Sequence, residues 1–291
     1  MYCRGLNPDG ISGGYDEDGG EYNYFIGEGK FNVSGDIMSL IDYNTMPETM
    51  VGTFYNLFGG NIDTSRDNFV DIVDASKLVL SAKVLTSDCY QRMFDSCVSM
   101  IYGPQIKATT LSPFCCYKMF YNCFSLITAP ELPVNKLEKE CYAYMFSNCG
   151  SLTEASELPA TTLADGCYRF MFESCTSLTI APELPATELA DYCYSTMFIW
   201  CTSLTTAPAL PATTLADGCY SGMFAGCTSL TTAPELPATT LTDWGYSGMF
   251  DGCTSLTTAP ELPATTLAEK CYSDMFYRCT SLTTSPELSA T

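Results

Sequence analysis

The sequence predicts an α/β repeat solenoid of eight 26-residue coils, each a short helix plus a short strand, with an N-terminal cap. Three observations support this fold class. Cysteines and Met-Phe pairs recur at a step of 26 residues through 80–287. Prolines recur at two sites in most units, and 46% of the residues are hydrophobic. A single unit cannot bury its own apolar side, so the units are expected to stack into one continuous core.

Two cysteine series and one dipeptide series set the period. The first cysteine series, which has Gly245 in its gap, contains Cys89, Cys115, Cys141, Cys167, Cys193, Cys219 and Cys271. The second contains Cys97, Cys123, Cys149, Cys175, Cys201, Cys227, Cys253 and Cys279. The Met-Phe pairs keep the same step from Met93-Phe94 to Met275-Phe276. Eight matches at a fixed period identify a repeat protein.

Each unit divides into a helical and an extended part. In CYSGMFAGC (219–227) the apolar residues stand at relative positions 0, 1, 4, 5 and 8. This spacing predicts one buried stripe of a short helix, with Cys219, Tyr220, Met223, Phe224 and Cys227 facing inward. The following SLTTAPELPATTL (229–241) carries prolines that exclude a helix and suit extended chain. With a strand spacing of about 4.8 Å, eight coils would make a body about 40 Å long.

Three segments are predicted along the chain. Residues 1–35 form a β-rich, acidic segment, residues 36–79 a cap with degenerate repeats, and residues 80–291 the solenoid. Alternation over 25–41 suggests a hairpin, and 55–61 (YNLFGGN) looks like a worn copy of the Met-Phe-x-x-Cys segment. A cap is expected because the first coil would otherwise expose its apolar core.

Charge excludes several functions. The chain has 13 basic and 33 acidic residues, a net charge of −20 and no histidine. Such an acidic surface argues against nucleic acid and against anionic membranes, both of which need clustered Lys and Arg. Without histidine, the commonest general base and metal ligand is missing, and no Ser/His/Asp or Cys/His arrangement can form. We therefore predict a protein that is not an enzyme and that uses no cofactor.

The sequence shows no export or membrane signal. No apolar run approaches the 18 residues of a membrane span, and the start, MYCRGLNPDGISGG, lacks the apolar region of a signal peptide. A phage virion protein, or a fragment of an exported protein, fits this pattern best. No membrane insertion is expected.

The seventeen cysteines and an acidic loop raise the question of disulfides and metals. Within a unit the cysteines are eight residues apart, about 12 Å along a helix and too far for a disulfide. Buried, reduced thiols in ladders are favoured over disulfides and over a metal site. The loop with Asp9, Asp16, Glu17, Asp18 and Glu21 lacks the spacing of a recognised calcium loop. A solvated loop is favoured there, with calcium as the alternative.

The order Met-Phe-x-x-Cys-x-x-Leu-x-x-Ala-Pro-x-Leu-Pro resembles the BspA-type, or Treponema-type, leucine-rich repeats. The resemblance covers 80–291. It implies a leucine-rich-repeat-like solenoid, and it implies a surface adhesin of host-associated bacteria or a related phage protein. The unit here is longer than in the family, and Ala-Pro replaces the β-branched strand residue, so weaker and more irregular strand pairing is expected.

Comparison of the units separates constant core positions from variable flanking positions, which helical spacing places opposite the core stripe. The variable positions are rich in aromatic residues, and both tryptophans of the chain are among them. Aromatic residues with arginine are typical of binding hot spots. The predicted ligand-binding residues are Phe114, Tyr117, Tyr121, Tyr144, Phe170, Tyr192, Trp200, Trp244, Tyr277 and Arg278. The alternative is drift at unrestrained solvent-facing positions. We favour binding because drift would enrich polar residues.

The predicted function is a non-enzymatic recognition or adhesion module that binds a surface glycan or protein. As an extracellular protein it would act on a bacterial cell surface or a phage virion. The alternative is a structural spacer or virion decoration protein that has no ligand and attaches to other surface or virion proteins through 1–79. Repeated pairs such as Thr231-Thr232 offer a second surface, for which plain solubility is favoured over binding to a regular polysaccharide or ice.

Overall fold

The computed structural model describes residues 30–40, 54–59, 71–132, 134–284 and 286–289. In these residues the strands are β1 (Lys30–Asp36), β2 (Asp71–Leu80) and β3 (Gln105–Ile106), and a 3-10 helix spans Ile37–Leu40. The sheet order is β1-β2-β3, and both pairs are parallel. Val79 pairs with Gln105, so the strand register follows the 26-residue step. The predicted 26-residue repeat is therefore confirmed, and the described strands form a small parallel sheet.

Of the hairpin predicted over 25–41, only residues 30–40 are described, and they do not form a hairpin among themselves. Residues 30–36 form a single strand that pairs in parallel with β2, and the 3-10 helix follows it directly. Alternation of apolar and polar residues indicates a half-buried strand but does not identify its partner. Here the partner is a strand more than 30 residues later in the chain.

Beyond β3 the strand side of the coils is reduced to isolated parallel bridges. One line of bridges includes Thr128↔Glu154, Ile180↔Thr206 and Thr232↔Thr258. A second line includes Thr162↔Glu188 and Thr240↔Thr266. Prolines stand close to both lines and cannot donate a ladder hydrogen bond, which limits pairing to single residues.

The short helix predicted in each coil is absent, because the described residues contain no α-helix. The Cys-Tyr-x-x-Met-Phe-x-x-Cys segment is a run of overlapping β-turns, which we call the turn segment. In the first coil the amides of odd-numbered residues donate to the carbonyl three residues earlier and so complete β-turns, as from Met93 to Tyr90 (3.2 Å). Even-numbered amides instead donate to the next coil, as in Phe94 N–H to Met119 C=O (2.9 Å).

This alternation satisfies the backbone without a helix. Each turn segment from residue 88 to residue 252 sends five amide hydrogen bonds to the following coil, as from Gly166, Tyr168, Phe170, Phe172 and Ser174. Every fourth residue has a positive φ, for example Gly218 (57°), Gly222 (62°) and Gly226 (74°). The third residue of a type II turn requires such a φ. Stacked turns thus replace the helical hydrogen bonds with bonds between coils.

The core consists of side-chain ladders that run from coil to coil. The phenylalanines of the Met-Phe pairs stack at ring-centroid distances of 5.3 Å (Phe94–Phe120) to 5.8 Å (Phe250–Phe276). A parallel tyrosine ladder runs from Tyr142 to Tyr272, and its steps include 5.8 Å for Tyr194–Tyr220. Every step joins residues of neighbouring coils, so stability is mainly a nearest-neighbour property.

The predicted burial of the cysteines is confirmed for the sixteen cysteines that the structure describes. In the second series each thiol from Cys123 onward donates to the carbonyl of the phenylalanine 29 residues earlier, as from Cys201 to Phe172 (3.0 Å), and Cys97 donates to the Phe58 carbonyl (3.1 Å). The same contact recurs from Cys227 to Phe198 (3.1 Å). These thiols are small apolar groups that also satisfy one backbone acceptor per coil.

A degenerate coil precedes the first full one. Phe54, Asn56 and Phe58 donate their amides to Cys89, Gln91 and Met93 in the pattern of the later turn segments. Phe58 also begins the phenylalanine ladder, 5.3 Å from Phe94. The boundaries proposed for the N-terminal segments remain predictions. The acidic loop 9–21 lies outside the described residues. Among the described residues, no helix is long and apolar enough to cross a membrane.

Candidate recognition surface

The turn segments carry outward side chains on three ladders, which together we call the turn face. Each ladder takes one positive-φ position per coil, and the first begins at Asp88, the second at Arg92 and the third at Ser96. The residue next to each ladder position also varies between coils. Because two inward residues alternate with two outward residues, the turn face carries all ten predicted ligand-binding residues.

The positive φ makes the occupants of these ladders unusual. Residues with a side chain are disfavoured at a positive φ because Cβ approaches the backbone, with asparagine and aspartate the most tolerated. Aromatic residues nevertheless take six of the positions, namely Phe114, Tyr144, Phe170, Tyr192, Trp200 and Trp244. Glycine takes six others, namely Gly166, Gly218, Gly222, Gly226, Gly248 and Gly252. Bulky side chains are thus held in a conformation for which glycine is the relaxed choice.

The first half of the turn face, from residue 88 to residue 174, packs against itself. Rings join in sequence, as in Tyr117–Tyr144 (5.6 Å, edge-on) and Tyr144–Phe170 (4.5 Å, stacked). The Lys118 ammonium lies 4.9–5.3 Å from three tyrosine rings, including Tyr121. These aromatic residues are only partly exposed. In this packed half the aromatic side chains already have partners within the protein.

Buried charge accompanies the packed half. The Asp95 carboxylate is 1% exposed and pairs with Arg92 at 2.7 Å. Burial raises the pKa of Asp95, against the opposing effect of Arg92. Burial also raises the pKa of Tyr117 to about 12, and it lowers the pKa of Lys118, as does the charge of Arg92. Arg92 and Asp95 belong to the same turn segment, whereas Lys118 and Tyr117 contact Tyr144 of the next coil.

The second half, from residue 192 to residue 278, is open. Its aromatic residues are exposed, with Tyr192 at 43%, Trp200 at 52%, Trp244 at 39% and Tyr277 at 60%. Between them lies a glycine floor, which consists of Gly218, Gly222, Gly226, Gly248 and Gly252. A Cβ at Gly248 would meet no atom within 4 Å. The open half therefore combines exposed aromatic rings with glycine positions, of which Gly248 is uncovered.

The rings at one border rest on the glycine floor. A Cβ at Gly218 would lie 2.4 Å from Tyr192 Cε1, and a Cβ at Gly226 would lie 2.4 Å from Trp200 Cδ1. Side chains on these glycines would therefore displace the rings. Glycine serves here both the positive φ and the close approach of an aromatic ring from the preceding coil.

Cations lie against the remaining rings. The Lys270 ammonium is 4.3 Å from the Trp244 ring, and the Arg278 guanidinium is 5.1 Å from the Tyr277 ring. Arg278 also donates to both carboxylate oxygens of Asp251, at 2.9 and 3.1 Å. Arg169 links the two halves because it lies 5.2 Å from Phe170 and 5.8 Å from Tyr192.

The structure thus divides the ten predicted residues. It brings Phe114, Tyr117, Tyr144 and Phe170 into continuous ring contact, with Tyr121 joined through Lys118. It leaves Tyr192, Trp200, Trp244, Tyr277 and Arg278 on the open half. Sequence reasoning missed the glycine floor and the roles of Lys118 and Arg169. The four-residue spacing of Gly218, Gly222 and Gly226 was a signal that could have identified the floor.

A shallow groove of about 460 Å³ lies elsewhere, and none of the predicted residues lines it. Its lining includes Lys30, Ile101 and Ile127 together with serines from four successive coils, namely Ser99, Ser125, Ser151 and Ser177. Among the described residues, no group of three or more acidic or cysteine side chains could hold a metal ion.

No known protein family model matches the chain, and no curated protein or solved structure is significantly similar to it.

Proposed function

We propose that the protein is a non-enzymatic recognition module, namely a leucine-rich-repeat-like adhesin or phage receptor-binding protein. It binds a surface protein or glycan through its turn face. One observation carries the proposal. Exposed aromatic side chains occupy positive-φ positions on the open half, whereas glycine occupies the equivalent positions of a neighbouring coil. The resemblance of the repeat to BspA-type repeats supports the extracellular location.

Tryptophan and glycine differ in the energy of a positive φ. A non-glycine residue in the left-handed region loses about 1 kcal/mol or more relative to its preferred conformation. Trp200 and Trp244 bear this loss while remaining 52% and 39% exposed. The buried part of each side chain returns a gain of about the same size. Strained residues concentrate at functional sites, and exposed tryptophan is typical of binding hot spots.

The test replaces both tryptophans by the residue that the fold itself uses. In the double variant Trp200→Gly, Trp244→Gly, relief of strain offsets lost packing, so we expect the unfolding free energy to change by less than about 1 kcal/mol. A glycan array and a pull-down with surface proteins would identify a ligand of the unmodified chain. We expect the double variant to lose that ligand.

A matched control changes an exposed residue outside the turn face. Ile180 is 63% exposed on the strand side, where the next coil carries Thr206. We expect Ile180→Thr to bind as the unmodified chain does. If the tryptophan variant kept full affinity, the turn face would not be the site.

A further inference from the structure

We infer that the open half of the turn face takes a cationic partner, an extended protein segment rich in lysine and arginine. This inference rests on the proposed recognition function and names the chemistry of the ligand. It starts from a row of carboxylates beside the aromatic residues. The acidic row occupies the position just before the first turn-face ladder in five successive coils, as Asp165, Asp191, Asp217, Asp243 and Glu269.

The acidic row is exposed along its whole length. Two of its members point along the stack, because Asp191 accepts the amide of Asp217 (3.1 Å) and Asp243 accepts the amide of Glu269 (2.8 Å). Like charges on adjacent coils repel one another. Among the described residues, its one ion pair is a loose contact from Glu269 to Lys270 at 3.8 Å. The row is therefore largely uncompensated within the protein.

The wider charge distribution points to the same partner. From residue 141 to residue 291 the chain has fifteen acidic and three basic residues. The three are Arg169, Lys270 and Arg278, and all three lie on the turn face against aromatic rings. The protein's own cations thus already use the cation–π geometry that these rings provide.

Rings and carboxylates together match a lysine or arginine side chain. Trp200 is 52% exposed, and Tyr192 and Trp244 directly follow Asp191 and Asp243 of the acidic row. A side chain of the partner could place its alkyl stem on a ring and its charge toward a carboxylate. The part of the glycine floor at Gly248 and Gly252 leaves room for the partner's backbone, because a Cβ there would meet no side chain within 4 Å. Anionic partners would be repelled by the same field.

The experiment uses the two tryptophans as reporters, because the chain has only Trp200 and Trp244 and both lie on the open half. The full chain is titrated with a short oligolysine peptide, an oligoglutamate peptide and neutral oligosaccharides while tryptophan emission is recorded. We expect oligolysine alone to shift the emission, with an affinity that falls as salt rises.

Charge-neutralising variants then locate the contact. Asp217→Asn with Asp243→Asn keeps the side-chain acceptors and should weaken oligolysine binding about tenfold. Glu235→Gln with Glu261→Gln is the matched control, because it removes the same charge from exposed positions in the extended part of neighbouring coils. This double variant should change the affinity by less than about twofold.

The outcomes separate the inference from the function on which it rests. Equal weakening by both double variants would show unspecific attraction and overturn the inference. A neutral oligosaccharide that shifts the emission when oligolysine does not would also overturn it, but the recognition function would stand. Full oligolysine affinity in Trp200→Gly, Trp244→Gly, measured by calorimetry because this variant lacks tryptophan, would place the peptide elsewhere and overturn it too.

Discussion

At the scale of single residues, backbone conformation decides what each turn-face position tolerates. Gly218 and Gly248 have nearly the same φ, 57° and 60°. Their surroundings differ, since a Cβ at Gly218 would meet the Tyr192 ring at 2.4 Å and a Cβ at Gly248 would meet nothing. The pair therefore separates the energy of a positive φ from the energy of a steric contact.

This difference gives a prediction on stability. Gly248→Ala should lower the unfolding free energy by about 1 kcal/mol, the strain of alanine at positive φ. Gly218→Ala should lower it by about 1 kcal/mol more, because the methyl group also displaces the Tyr192 ring. Chemical denaturation would measure both. In a Tyr192→Gly background the two alanine variants should become equal, and a persisting difference would contradict the steric explanation.

At the scale of elements, the turn segment shows how far the sequence could predict the fold. The repeat, the buried ladders and the outward positions were all predictable, because their periodicity does not depend on how the backbone connects them. Whether the Cys-Tyr-x-x-Met-Phe-x-x-Cys segment forms a helix or a run of turns was not predictable from this periodicity. Apolar positions at 0, 1, 4, 5 and 8 fit a helix of 3.6 residues per turn and also a run of turns with a period of four. Glycine at 218, 222 and 226 favours the turns, since a helix interior disfavours three glycines.

The candidate site was predictable to a similar degree. The variable, aromatic-rich face follows from comparing units, and the ten residues do lie on it. Its division into a packed and an open half depends on ring contacts between coils, such as Tyr144–Phe170 at 4.5 Å. Such contacts depend on side-chain directions that the sequence alone does not determine.

The phenylalanine ladder supports a prediction at this scale. Phe172 is fully buried and stacks on Phe146 and Phe198, at 5.6 Å in each case. Phe172→Ala should lower the unfolding free energy by about 3–5 kcal/mol. Phe276 stacks on Phe250 and is only partly buried, so Phe276→Ala should have a clearly smaller effect. Thermal and denaturant unfolding would measure both variants. If Phe276→Ala lowered the unfolding free energy as much as Phe172→Ala does, the nearest-neighbour ladder would be contradicted.

At the scale of the whole molecule, the buried thiols and phenols predict sensitivity to alkaline pH. Burial raises the pKa of Cys167, Cys201 and Cys219 from 9.0 to about 12. Burial likewise raises the pKa of the Tyr168 and Tyr220 hydroxyls. The unfolded chain therefore releases these protons at a lower pH than the folded chain, so rising pH favours unfolding.

We expect stability to be constant with respect to these groups below about pH 9, and to fall steeply between about pH 9 and 12 as the unfolded thiols ionise. Denaturant midpoints measured across this range, with thiol labelling to report exposure, would show the fall. Because many coils contribute, a single Cys219→Ala substitution should reduce the slope only slightly. A flat profile up to pH 12 would contradict the prediction.

The hydrogen bonds between coils have one more consequence for the molecule as a whole. In the turn segments every backbone hydrogen bond between coils has its N–H in the earlier coil and its C=O in the later one. These hydrogen bonds form five parallel rows along the stack. The peptide dipoles in these rows add along the axis of the stack, as they do along a helix. The stack of turn segments is therefore electrically polar. Its negative pole lies toward residues 54–59, and its positive pole lies toward the coil that carries Lys270 and Arg278.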